Sequence, residues 1–305
     1  MPLAPEIASL MPGINARPPM HRQPLATLRQ TRDRIDPSGH QPVGEVRDLQ
    51  IPAAGDSVKA RFYSPDHSPA ALPLVMVMHG GGFVFGDLEG YYDHLCRVLC
   101  AKAQCRVLSV NYRLAPEHKF PAATDDVHAA LCWAHENAAG LGIDPARMFI
   151  AGGSAGANLA TSTALRVRDQ GGPPLRGQML FYPFVDWHTP ASDSLSLFAE
   201  GYYLTRADVH WFWQQYLPAE SDRHNPYAVP LAAPSLADMP AALVVTAQFD
   251  PLRDGAERYA RRMASAGVPV QQTRYDGMVH GFLAFPTPKA DEALQEAADW
   301  LRARF

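Results

Sequence analysis

Six short apolar runs, each followed by a longer stretch, constrain the fold of this chain more than any other feature of its sequence. They are Leu74 to Met78, Arg106 to Val110, Met148 to Ala151, Gln178 to Tyr182, Ala242 to Thr246 and Val268 to Arg274. Near-continuous apolar strands belong to a parallel sheet, whose two faces are both covered by helices and so never meet water. The segments Thr124 to Ala139, Ala155 to Arg168, Arg253 to Ala266 and Lys289 to Ala303 have the length and period of crossover helices. An α/β core is therefore expected, with a mostly parallel central sheet flanked by helices.

Two regions break the alternation. The first forty-odd residues carry Pro2, Pro5, Pro12, Pro18, Pro19, Pro24, Pro37 and Pro42, so helices there are short, and a pro-segment or lid fits better than a core. Trp187 to Tyr227 is crowded with aromatics, and Thr205-Arg206-Ala207-Asp208 reads as a capping box opening a helix with Val209, Phe212, Trp213 and Tyr216 on one face. Between these regions, alternating runs from Val46 to Ile51 and Ser57 to Tyr63 flank Ala53-Ala54-Gly55-Asp56 and read as an antiparallel hairpin. The expected division is 1–45 as an N-terminal cap segment, 46–186 as the first part of the core, 187–227 as a cap insertion and 228–305 as the second part.

Twenty-seven Lys and Arg against thirty-one Asp and Glu, with the signs interleaved, leave no basic footprint for nucleic acid. The longest uncharged stretch, His67 to Gly86, holds Pro69, Pro73, His79 and three consecutive glycines, so no stable membrane insertion is expected. The start Met1-Pro2-Leu3-Ala4-Pro5-Glu6 does not read as a secretory signal, and a cytoplasmic location is the expectation. Cys96, Cys100, Cys105 and Cys132 form no paired metal-binding spacing, and Cys96 and Cys100, one helical turn apart in a segment rich in leucine and valine, are expected as core thiols. The twelve histidines include no HExxH, so neither a metal nor a cofactor is expected.

Chemistry enters at Gly152-Gly153-Ser154-Ala155-Gly156, a GxSxG pattern directly after one expected strand and directly before an expected helix. Such a sharp turn exposes the serine and requires residues without colliding side chains two positions before and after it. His79-Gly80-Gly81-Gly82 follows another strand, and its glycines let backbone N–H groups turn toward negative charge developing on an acyl oxygen. A serine nucleophile needs a base and an acid, in this fold class in the chain order serine, acid, histidine. His280 is the one histidine after the strand Ala242 to Thr246 and the carboxylates that follow it; Asp250 and its near competitor Asp254 both remain open as the acid.

With these motifs, Asn111-Tyr112-Arg113-Leu114-Ala115-Pro116-Glu117-His118-Lys119-Phe120-Pro121 and the surroundings of Asp250 and His280, the sequence resembles the bacterial hormone-sensitive lipase family of α/β-hydrolase esterases. The resemblance implies an α/β-hydrolase fold with a helical cap, nucleophile Ser154, acid Asp250, base His280 and oxyanion donors from the backbone of Gly81, Gly82 and Ala155. It implies a serine carboxylesterase acting on short- to medium-chain acyl esters through an acyl-serine intermediate. A small-molecule ester is the expected partner and a monomer or homodimer the expected assembly. An amidase or deacetylase with the same triad, and a non-catalytic small-molecule receptor on the same fold, are the alternatives. Phe83, Trp187, Tyr202, Trp211 and Phe212 are expected on the pocket wall. Two positions depart from the family pattern, Gly153 where it usually has Asp and Ala157 where it usually has Gly.

Overall fold

Residues 2–31, 41–53, 56–65, 70–187 and 192–305 are described by the computed structural model. The expected hairpin turn at Ala54 and Gly55, residues 32–40 of the N-terminal segment and residues 188–191 of the insertion lie outside them. The strands are β1 (Glu45–Ala53), β2 (Asp56–Ser64), β3 (Leu72–Met78), β4 (Arg106–Val110), β5 (Ile143–Gly153), β6 (Leu175–Phe181), β7 (Ala241–Phe249) and β8 (Val270–Val279). They form one sheet in the order β1-β2-β4-β3-β5-β6-β7-β8. β1 and β2 pair antiparallel, with Val46 opposite Tyr63 and Ile51 opposite Val58, and β2 runs antiparallel to β4. Every other pairing is parallel.

β3 shows how the sequence divides the molecule into layers. Successive strand residues face opposite ways. Leu74, Met76 and Met78 join one apolar cluster and Val75 and Val77 the other, and all five are fully buried. The first cluster is closed by Val127 and Leu131 of α4 (Ala122–Glu136), Leu159 of α6 (Ala155–Gln170) and Tyr259 and Met263 of α9 (Arg253–Ser265). The second is closed by Ile7 and Met11 of α1 (Pro5–Asn15), Leu95 and Leu99 of α3 (Tyr91–Ala103) and Leu294 of α10 (Pro288–Arg302). Each such side chain contributes about 1.5–3 kcal/mol by leaving water. Cys96, Cys100 and Cys105 are buried thiols in no disulfide, and Cys132 is half-buried.

The N-terminal prolines punctuate as expected. α1 carries Pro5 in its first turn and Pro12 inside it, a single 3-10 turn spans Met20–Arg22, and α2 covers Leu25–Thr31. Short helices α5 (Ala138–Leu141) and α7 (Asp193–Leu197) and the aromatic helix α8 (Arg206–Tyr216) complete the helices used below. α8 opens with the expected capping box, Thr205 and Asp208 each accepting from the other's backbone N–H, and its Val209, Phe212, Trp213 and Tyr216 are all buried.

Between β5 and α6 the chain reverses at Ser154, whose φ of 56° and ψ of -117° lie outside the regions an ordinary side chain favours. The reversal is so tight that a Cβ on Gly156 would lie 2.1 Å from the carbonyl oxygen of Met78. The first turn of α6 therefore rests on the backbone at the end of β3. Gly156→Ala is expected to destabilise the protein by about 3 kcal/mol, the upper end for an added carbon with no room. Gly140→Ala in α5, where a Cβ would meet nothing within 4 Å, should be neutral or slightly stabilising. Urea unfolding of both variants measures the contrast, and equal costs would contradict the packing at Gly156.

Directly after β3, His79 is fully buried, stacked on Tyr112 with ring centroids 4.2 Å apart. Its Nδ1 lies 2.8 Å from the carbonyl oxygen of Gly80, which only accepts, so Nδ1 donates and Nε2 keeps its lone pair. Burial lowers its pKa from the ordinary 6.5 to about 4, the Gly80 hydrogen bond opposing that only in part. Between these values the unfolded chain binds the extra proton and the folded one does not, so stability is lost as pH falls from about 6.5 toward 4. The loss from this group is on the order of 3 kcal/mol. In unfolding experiments across that range, the stability advantage of wild type over His79→Gln should shrink as pH drops. A gap that is constant with pH would rule out a buried neutral imidazole.

Candidate active site

Four strand ends converge on one cavity. The glycine loop follows β3, Ser154 follows β5, Asp250 follows β7 and His280 follows β8. These are carboxyl ends of parallel strands, the edge at which open α/β sheets hold ligands. Ser154 Oγ lies 3.0 Å from His280 Nε2, and His280 Nδ1 lies 2.8 Å from Asp250 Oδ2. Because an ionised carboxylate only accepts, Nδ1 carries the hydrogen and Nε2 is left to accept from the serine hydroxyl. The other Asp250 oxygen accepts from the Leu252 N–H at 2.8 Å. Asp250 is fully buried and Ser154 half-buried. Asp254, the competing carboxylate, is engaged elsewhere, accepting from Ser194 N–H and from Arg253 Nε, each at 2.8 Å. Burial raises its pKa, but these hydrogen bonds outweigh burial and hold it below the usual carboxylate value.

The glycine loop is shaped from both sides. Gly82 has φ 59°, and a Cβ there would lie 2.2 Å from the Phe212 ring, so α8 leans directly on its backbone. The N–H groups of Val84 and Phe85 donate to the Gly81 carbonyl at 3.0 and 3.1 Å, and the Ala115 N–H donates to the Phe83 carbonyl at 2.9 Å. The Tyr112 hydroxyl donates to the His79 carbonyl at 2.8 Å. Arg29 of α2 donates to the carbonyls of Val84 and Ala115 at 3.0 and 3.1 Å and pairs with Glu117 at 2.7 Å. The Asn111 to Pro121 block thus buttresses the loop. Among the described residues, the N–H groups of Gly81, Gly82 and Ala155 have no acceptor.

The cavity has a volume of about 80 Å³. Ser154, His280, Gly81 and Gly82 line it together with Met20, Tyr92, Tyr182, Leu204, Val209 and Phe212. Of the five aromatics expected on its wall, only Phe212 is there. Phe83, with φ 66°, turns its ring face to face onto Tyr216 with centroids 3.7 Å apart. Trp187 packs on Trp213, and Tyr202 stacks on Phe249. Trp211 neighbours Phe212 on α8, and about 100° of helical rotation per residue carries it off that face.

Met20, Tyr92, Tyr182 and Leu204 are wall residues that the sequence does not announce. Tyr182, with φ 38°, directly follows β6, which lies between the strands leading to Ser154 and Asp250, and packs its ring edge-on to His280 with centroids 5.0 Å apart. The departure at Gly153 has a spatial counterpart, since a Cβ there would lie 2.8 Å from the Tyr92 hydroxyl and 3.2 Å from the Tyr182 ring. Ala157 is fully buried in the core. Among the described residues no three His, Cys, Asp or Glu are grouped to hold a metal, and no helix is long and apolar enough to cross a membrane.

Known proteins are similar to this chain in sequence and in fold. A family model for the alpha/beta hydrolase fold matches residues 75–284. The carboxylic ester hydrolase LipN of Mycobacterium tuberculosis is 42% identical over 245 residues, 78% of this chain and 64% of that protein. An arylesterase of Saccharolobus solfataricus is 42% identical over 246 residues, 80% of this chain and 79% of its own. The structure of a hyperthermophilic esterase from the archaeon Pyrobaculum calidifontis superposes with a TM-score of 0.92 at 36% identity, covering 99% of each chain. The chain therefore belongs to the α/β-hydrolase fold family, among its hormone-sensitive lipase-type carboxylic ester hydrolases.

Proposed function

We propose that Ser154, His280 and Asp250 hydrolyse short- to medium-chain acyl esters through an acyl-serine intermediate. The observation that carries this reading is the unbroken hydrogen-bond line from Ser154 Oγ through His280 to Asp250, opening beside three unengaged backbone N–H groups. His280 Nε2 accepts the serine proton as Oγ attacks the acyl carbon, then returns it to the departing alkoxide. Asp250 holds the imidazole in the tautomer that leaves Nε2 free and stabilises the cation it becomes. The N–H groups of Gly81, Gly82 and Ala155 receive the oxyanion, a contribution of about 3 kcal/mol for a well-placed donor. Water, activated by the same imidazole, then releases the acid.

The cap assignment, residues 1–45 with 187–227, is supported by the cavity walls. Met20 comes from the N-terminal segment and Leu204, Val209 and Phe212 from the insertion. All four are apolar and buried, which favours an aliphatic group over water.

Ser154→Ala should keep the fold and lose several orders of magnitude in ester turnover. Asp250→Asn should cost about 10⁴ in kcat, as an amide in that place favours the wrong tautomer, while Asp254→Asn should cost far less. Steady-state rates on a nitrophenyl ester decide it, and a reversed order of the two asparagine variants would move the acid to Asp254. Along a nitrophenyl acyl series, kcat/KM should climb about fourfold per methylene while the cavity fills. The maximum is expected at about four to eight acyl carbons, beyond which further carbons add little or clash. A steady climb into long-chain esters would reject an enclosed pocket.

A further inference from the structure

A second, larger cavity adjoins the first. Its volume is about 540 Å³, and Met20 and Tyr203 line both, so an inner apolar chamber and an outer one meet at these two side chains. The outer chamber lies between the N-terminal segment and the stretch 199–208, which two contacts hold together. Asn15 Nδ2 donates to the Gly201 carbonyl at 3.0 Å. The backbone N–H and ring Nδ1 of His21 both lie 2.8 Å from Asp208 Oδ1, while Thr205 Oγ1 donates to Asp208 Oδ2 at 2.7 Å.

Its polarity is opposite to that of the inner chamber. Arg17, Arg22 and Arg206 line it against one acidic wall residue, Glu200. Among the described residues none of the three arginines has a carboxylate within ion-pair distance. This gathering of positive charge stands in a chain whose formal charge is -4. The three arginines lining this concavity are exposed, and guanidinium groups match the geometry of a carboxylate and are less strongly hydrated than ammonium groups, so they bind such a group with less desolvation cost.

We propose that the outer chamber is a binding site for an anionic oxygen group carried on the non-reacting end of the ester, so that the substrate class includes esters with a carboxylate remote from the scissile bond. This rests on the esterase reading above. It makes substrate length decisive. A carboxylate on a short spacer is trapped in the apolar inner chamber, where an unpaired charge is strongly disfavoured. On a longer spacer it passes Met20 and Tyr203 and reaches the arginines.

The test uses the full chain and monoethyl esters of dicarboxylic acids from succinate to suberate, each compared with the neutral ethyl ester of the monocarboxylic acid of the same length. Acetyl esters of ω-hydroxy acids form a parallel series with the charge on the alcohol side. In at least one series the ratio of kcat/KM, anionic over neutral, should be low at short spacers and rise at a threshold length. In the variant Arg17→Gln, Arg22→Gln, Arg206→Gln the long-spacer ratio should fall about tenfold, the scale of losing a charge-assisted hydrogen bond. In the wild type it should also fall with added salt, because exposed charges are screened. Ratios that are flat with length and equal in wild type and variant would overturn the proposal, while hydrolysis of neutral esters in the same preparations reports separately on the esterase reading. Independently of turnover, calorimetry should show monoethyl suberate binding to Ser154→Ala and weaker binding when the arginine substitutions are added. Equal binding in both would also overturn it. Single variants Arg17→Gln and Arg206→Gln serve in place of a triple variant that fails to fold, each expected to lower the long-spacer ratio in part.

Discussion

The seat of Gly156 on the end of β3 is the contact on which the rest of the site depends. Without a side chain at that position the first turn of α6 closes onto the carbonyls of Met78 and His79. That closure fixes the distance between the serine reversal and the loop that begins at His79, since both grow from the same point of contact. A wider turn would separate the nucleophile from the backbone donors meant for its oxyanion, and misplacement by about 1 Å is enough to cost a large factor in rate. The buried stack of His79 on Tyr112 serves the same end from below, as it anchors the loop at its first residue.

The sequence is legible wherever the determinant is local. The elbow is written in five consecutive residues, the capping box of α8 in four, and the sheet in the alternation of runs that need no water on either face. His280 follows from chain order alone. What separates Asp250 from Asp254 is not local: the two are four residues apart after the same strand, and only the burial of one beside His280 and the capture of the other by Ser194 and Arg253 tell them apart. Aromatic content marks the insertion but not the wall of the pocket. Which ring faces the cavity is set by helix rotation at Trp211 and Phe212 and by a positive φ at Phe83, and neither is visible as composition. Met20 is hidden for another reason, since it reaches the cavity through its neighbour His21, which is bound to Asp208, 187 residues away.

That long-range bond gives one carboxylate two tasks. Asp208 Oδ2 caps its own helix by accepting from the backbone N–H and hydroxyl of Thr205, while Oδ1 receives both donors of His21. The next turn of the same helix places Phe212 against Gly82. The N-terminal segment, the aromatic helix and the glycine loop are thus mechanically continuous, and Arg29 closes the circuit by binding the loop from α2. A cap built this way sets more than the volume of the pocket, because a shift of α8 that admits a larger group also moves the ring on which the Gly82 backbone rests.

Gly153 fits the same logic of shared space. The family pattern puts a carboxylate before the serine, and in this chain the volume beside that position belongs to the Tyr92 hydroxyl and the Tyr182 ring. Both tyrosines also line the cavity, and Tyr182 packs against His280. The space beside the missing side chain is thus taken by these two tyrosines, while Gly156 seats the elbow on the far side of the serine. Gly153, Tyr92 and Tyr182 form one packing unit, in which phenol rings occupy the ground that an aspartate would otherwise need. Because a buried carboxylate there would have to displace two packed aromatic rings and find its own hydrogen-bond donors, the glycine is the residue this set of neighbours requires.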